Sequence, residues 1–137
     1  MKTLNELRDE IHENAKNKGF WDSPIETGTR LMLCVSELAE AMEADRKDRF
    51  SKIDRFEKKL KASRVIFENK DIDGLTPGRS WIAIFEECIK DTFEDELADT
   101  IIRVLDLCGA NGIDIEKHID MKMKYNATRE RLHGKKY

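Results

Sequence analysis

The sequence predicts an all-α protein, and three observations carry that expectation. Only two prolines and seven glycines punctuate 137 residues. Helix formers dominate the remainder, and apolar residues recur at spacings of three and four along successive stretches. Charged residues make up 39% of the chain and hydrophobic residues another 39%, a balance that suits helices with heavily solvated outer faces. The expected architecture is a four-helix-bundle-like core. A helix and loop are inserted between its second helix and a long penultimate one. The length fits one domain, residues 1–137.

Each element has its own signal. Thr3 and Glu6 have the spacing of a capping box. Leu4, Leu7, Ile11 and Ala15 follow as the apolar stripe of the first helix, and Gly19 is its stop. "FWDSP" is a connection, with Pro24 able to begin the next element. A second helix is expected over about Thr27 to Lys47, with Leu31, Val35, Leu38 and Met42 as its inward stripe. Glu37 and Glu40 lie roughly 60° apart on its circumference, and are expected beside that stripe. "KDRFSKIDRFEKKLKASR" reads as a short amphipathic helix with Phe50, Ile53, Phe56 and Leu60 as its seam. "FENKDIDGLTPGRS" reads as a loop. Together, about 47–89, they form the insertion.

A long helical pattern runs from near Trp81 to about Cys108, with a break expected near Asp91, where "DTFE" offers a capping box. Leu97, Ile101, Leu105 and Cys108 form its inner stripe. Glu96, Asp99, Arg103 and Asp106 share the neighbouring face, and Arg103 with Asp106 is expected as a structural pair. "GANG" ends this helix, and Asp114 caps a last one over "DIEKHIDMKMKYNATRERL".

The formal net charge of −3 argues against a nucleic-acid-coating role. No apolar run approaches the roughly 20 residues of a bilayer span, so no membrane partner is expected. Cys34, Cys88 and Cys108 are odd in number and sit among apolar neighbours. They read as small core residues in a reducing compartment, which makes the cytoplasm the expected location.

The chemistry lies in two acidic pairs, "ELAE" (Glu37, Glu40) and "ELAD" (Glu96, Asp99). A pair three residues apart presents two oxygen ligands on one helical face. Two such helices packed side by side would bring four carboxylates together. Mutual repulsion would then raise their pKa values unless a cation compensates. Oxygen-only ligands suit Mg²⁺, with Mn²⁺ as a substitute. Di-iron bundles use Glu-x-x-His, found here only at Glu130 and His133 in the tail. Against all this stands the ordinary reading of each pair as a solvated helix surface.

"LMLCVSELAEAMEADRK", "KDTFEDELADTIIRVLDLCG" and "KMKYNATRERLHGKK" together resemble the MazG-like nucleotide pyrophosphohydrolases of the all-α NTP pyrophosphatase superfamily. That family's E-x-x-E followed by E-x-x-D is matched by Glu37, Glu40, Glu96 and Asp99. The two motifs usually lie closer together, whereas roughly 55 residues separate Glu40 from Glu96 here. The resemblance implies Mg²⁺-dependent hydrolysis of a nucleoside triphosphate to the monophosphate and pyrophosphate, by a homodimer or homotetramer. All four carboxylates would then be metal-binding and catalytic, with Glu37 or Glu40 as proton acceptor.

Lys122, Asn126 and Arg129 recur on one face of the last helix and suit phosphate or sugar contacts; a solvated basic face is the plain alternative. Tyr125, one step away, is a packing residue or a ribose contact. Phe20 and Trp21 are candidates for base stacking or for anchoring the connection. His12 and Asn14 are weaker candidates for base-edge hydrogen bonds, and His118 is unassigned. The rival function is a non-catalytic helical module that binds a nucleotide or a partner.

Overall fold

The computed structural model describes residues 1–69 and 77–130. The described residues form six helices and no strand: α1 (Leu4–Asn17), α2 (Thr27–Arg46), α3 (Ile53–Asn69), α4 (Pro77–Cys88), α5 (Phe93–Ala110) and α6 (Ile115–Ala127). The all-α expectation holds. Among them, no helix is long and apolar enough to cross a membrane. The chain divides into two compact units, Met1–Arg30 with the described part of Ile102–Tyr137, and Leu31–Ile101. The divisions fall within α2 and α5.

In the first unit, the capping box at Thr3 is formed in both directions. The Thr3 N–H donates to the Glu6 carboxylate at 2.7 Å, and the Glu6 N–H donates to the Thr3 hydroxyl at 3.1 Å. Two orphan donors of the first turn are thereby satisfied. A third comes from further away: the Leu4 N–H donates to Glu116 of α6 at 2.9 Å. The Asn5 amide reaches the N-cap Asp114 at 2.8 Å, and the Arg8 guanidinium donates to the Ile113 carbonyl at 2.5 Å. The starts of α1 and α6 are thus tied by charge-assisted bonds.

Gly109 of α5 meets α1 at closer range still. A Cβ placed there would lie 2.6 Å from the His12 Cβ, a separation that no rotamer change relieves. Gly19 (φ 82°) and Gly112 (φ 61°) close the ends of α1 and α5 in the left-handed region.

In the second unit, α3 and α4 pack as an antiparallel pair. Trp81 and Phe85 stack at 5.1 Å, and Phe56 meets both edge-on at 6.1 and 6.5 Å. Glu87 receives Arg55 at 2.5 Å and Lys59 beside it. The Lys52 N–H donates to the Cys88 carbonyl at 2.9 Å, so the start of α3 is bonded to the end of α4. The turn after α2 also holds the start of α5. The Phe93 N–H donates to the Arg49 carbonyl at 2.9 Å, the Ser51 N–H to Glu94 at 2.8 Å, and Phe50 packs edge-on against Phe93.

The break expected near Asp91 is present: the long penultimate pattern is two helices, parted at Asp91, which takes φ 56°. Four expectations need correction. The inserted segment carries a helical pair, not a single helix. α4 begins at Pro77, where a proline costs no intrahelical bond, and α3 extends to Asn69, so part of the expected loop is helical. The rest of that loop, and His133 with the tail, lie outside the described residues. The box at the break is shifted by one residue, since Asp95 accepts the Asp91 N–H at 3.0 Å while Glu94 turns to Ser51. The last helix stops at Ala127 with Thr128 as its C-cap, its hydroxyl donating to the Tyr125 carbonyl.

The burial of α2 differs most. Cys34, Glu37, Ala41 and Ala44 are buried, whereas Leu31, Val35, Leu38 and Met42 are each about half exposed, at 48–52%. Small side chains let a neighbour approach closely, and the larger stripe lies on another face. Along α5, Leu105 and Cys108 are buried as expected, Leu97 is half-buried, and Ile101 is exposed.

Gly109→Ala should destabilise the fold by about 1–3 kcal/mol, the usual overpacking cost, despite alanine's better helix propensity. Urea unfolding followed by circular dichroism measures it.

Candidate metal centre

Cys34, Glu37, Ala41 and Ala44 recur at i, i+3, i+7 and i+10 and so occupy one face of α2. Glu37 is buried there at 7% exposure, carried on a small-residue stripe. This face lies roughly 120° around the helix from the Leu31–Met42 stripe. Glu40 lies further from that stripe still, so the acidic pair does not border it as expected.

Across from Glu37, α5 begins with three consecutive acids, Glu94, Asp95 and Glu96. Glu96 is buried, at 5% exposure, and Asp99 one turn on is exposed. Glu37, Glu96 and Asp99 each bring a carboxylate oxygen within 4.8 Å of the others. The E-x-x-E and E-x-x-D segments, far apart in sequence, therefore supply one acidic cluster within the second unit.

Burial and then the charges of Glu40, Glu37, Asp95 and Asp99 push the Glu96 carboxyl from 4.5 up to about 7. Glu40 stands outside the three-oxygen set, yet it is the largest charge effect on Glu96. Asp95 is also raised, chiefly by burial. A cluster whose central acid resists ionisation, with hard oxygens from three carboxylates, fits a divalent cation of the Mg²⁺ or Mn²⁺ type.

The other nominated residues fall in the first unit. Trp21 is half-buried; its indole N–H donates to both oxygens of Asp106 at 3.0 and 3.1 Å. The Arg30 guanidinium lies 3.2 Å over its ring, and His12 meets it edge-on at 5.1 Å. His12 Nδ1 is 2.8 Å from Asp106. Trp21 is thus an anchor of the connection, with one ring face already covered. Asp106 engages His12 and Trp21 in addition to any partnership with Arg103. Phe20 is exposed, and its carbonyl accepts from Arg30 at 3.2 Å.

On α6, Lys122 and Asn126 are exposed. Arg129 lies beyond the C-cap, so it extends the predicted face from a turn and not from the helix. Lys122 and Arg129 stand 5.1 and 5.8 Å from the ring of exposed Tyr125. Asn14 and His118 are exposed on α1 and α6.

Sequence reasoning passed over Asp95 and Arg30. Asp95 was legible, three residues after Thr92 in the spacing of a helix start. Nothing local in the sequence marks Arg30 as the cover of Trp21.

No family model, curated protein or solved structure matches the chain.

The raised Glu96 carboxyl means that the folded protein holds this proton over a window in which the unfolded chain has lost it. Its contribution to stability should therefore fall as pH rises from about 4.5 to about 7, by up to about 3 kcal/mol. Glu96→Gln should remove that slope and leave the metal-free protein more stable at pH 8. Denaturant titrations across pH 4–8 measure both effects.

Proposed function

We propose that the protein is a Mg²⁺-dependent nucleoside triphosphate pyrophosphohydrolase. It would cleave the bond between the α and β phosphates to release nucleoside monophosphate and pyrophosphate. Its substrates would be non-canonical or excess nucleotides. The observation that carries this reading is the meeting of Glu37, Glu96 and Asp99 oxygens within 4.8 Å, from the two segments on which the resemblance to MazG-like pyrophosphohydrolases rests.

In this reading Glu37, Glu96 and Asp99 hold the metal, and ionised Glu96 is the form that binds it. The divalent ion supplies positive charge for the triphosphate oxygens and acidifies a water. Glu40, exposed beside the triad and outside the three-oxygen set, accepts the proton of the attacking water. Glu37 holds that role in the alternative assignment.

Lys122, Asn126 and Arg129 enter as phosphate or sugar contacts, Tyr125 as a ribose contact and Phe20 as a stacking surface for the base; their support is the sequence pattern. The Arg30-covered ring of Trp21 favours anchoring over stacking. Cys34, Cys88 and Cys108 are buried and in no disulfide, which agrees with a reducing, cytoplasmic setting.

A nucleotide panel incubated with Mg²⁺ or Mn²⁺ tests the reading. Monophosphate and pyrophosphate are the expected products. Orthophosphate with diphosphate would indicate a different phosphatase, and no turnover with either ion would favour a non-catalytic binding module. Glu40→Gln and Asp99→Asn should each lower kcat by about 100-fold or more with helicity unchanged. Wild-type rates in both would remove the site assignment. Lys122→Ala and Arg129→Ala should raise KM by about tenfold each, with a smaller effect on kcat.

A further inference from the structure

We infer that the α3–α4 pair is an arm whose seating responds to a divalent cation held by Glu37, Glu96 and Asp99. The inference rests on the proposed metal centre and extends it to a part of the chain that the proposed reaction does not use. The pair is inserted between the two acidic motifs, so each of its roots adjoins a helix that supplies metal-binding carboxylates. α2 with Glu37 ends at the entry root, and α5 with Glu96 and Asp99 begins at the exit root.

Each root turns on an aspartate in the left-handed region. Asp48 takes φ 52° and Asp91 φ 56°, the two positive values at non-glycine residues among the described residues. A residue with a Cβ is disfavoured there, and keeps that conformation where its surroundings fix it. At the entry root the Asp48 N–H donates to the Asp45 carbonyl at 3.0 Å, and the Arg49 N–H to the carbonyl of buried Ala44 at 2.9 Å. At the exit root the Asp91 N–H donates to the Asp95 carboxylate at 3.0 Å. Such positions are where a chain absorbs a change of direction, so they suit a hinge.

The roots are also bonded to the residues beside Glu96. Glu94 and Asp95 precede it in the first turn of α5. Each accepts an N–H from a different root, Ser51 for Glu94 at 2.8 Å and Asp91 for Asp95. The Phe93 N–H donates to the Arg49 carbonyl at 2.9 Å. The bonds that seat the arm therefore join the turn after α2 to the start of α5, and carboxylates of these two helices meet within 4.8 Å. Mutual repulsion of those carboxylates works against the junction. With the repulsion offset by a bound cation, the junction tightens and the arm is held at both roots. α3 and α4 pack on each other through Phe56, Trp81 and Phe85, so they follow their roots as one body. By linkage, whatever holds the arm seated raises affinity for the ion by the same factor.

Amide exchange followed by NMR on the full chain at pH 8, with Mg²⁺ as the added ligand, tests the coupling. Saturating Mg²⁺ should slow exchange at the Ser51, Asp91 and Phe93 amides by about fivefold or more, with the Glu6 amide of the first unit unchanged. Glu94→Ala removes the acceptor of the Ser51 N–H and lies outside the three-oxygen set. It should abolish the Mg²⁺ effect at Ser51 and weaken Mg²⁺ binding, measured by calorimetry, by about threefold. Mg²⁺ binding with unchanged exchange at the root amides overturns the inference and leaves the proposed function standing. So does a uniform slowing that includes Glu6, or an unaltered Ser51 response in Glu94→Ala. A chain that binds no Mg²⁺ by calorimetry overturns both.

Discussion

Repulsion among buried carboxylates is the constraint around which the second unit is organised. With the triad's oxygens within 4.8 Å of one another, two unit charges repel by about 3 kcal/mol or more at the effective dielectric of a protein site. The amino end of α5, where Glu96 lies in the first turn, returns at most about 1–2 kcal/mol to a carboxylate. Repulsion and burial win, and the Glu96 carboxyl rises to about 7. A fold assembled for stability alone has no use for such a cluster. A divalent cation would offset that repulsion, which is what the proposed function asks of the cluster.

The inserted segment between the two acidic motifs does not disturb them, because its ends are pinned together. The hydrogen bond from Lys52 to Cys88 returns the chain to where it left α2. The Arg49–Phe93 and Ser51–Glu94 bonds then hand it directly to the start of α5. Between these points α3 and α4 satisfy one another through Phe56, Trp81 and Phe85. A loop with joined ends can lengthen at small entropic cost, so the roughly 55 residues between Glu40 and Glu96 are compatible with one cluster.

The first unit is held by polar contacts more than by a large core. Asp106 gathers His12 and Trp21, and Arg30 covers the indole. Glu116 and Asp114 fix the start of α1. These are bonds with an ionised partner, stronger than neutral ones, and they convert two residues suited to nucleotide contact, His12 and Trp21, into structural members. Close approach at Gly109 is what brings α1 near enough for them to form.

The sequence by itself determined the helices, most of their ends and the identity of the acidic pairs. Capping residues, left-handed glycines and three-and-four periodicity are local properties, which explains why Thr3, Asp114, Gly19 and the break at Asp91 were legible. The face that each helix buries is a different matter. Both faces of α2 are largely uncharged, and periodicity alone favours the stripe with the larger side chains. Tertiary structure decided for Cys34, Ala41 and Ala44, because small residues permit the close packing that buries Glu37. It likewise decided that Trp21 answers to Asp106 and that Lys52 meets Cys88, contacts between residues tens of positions apart that carry no signature in either local segment.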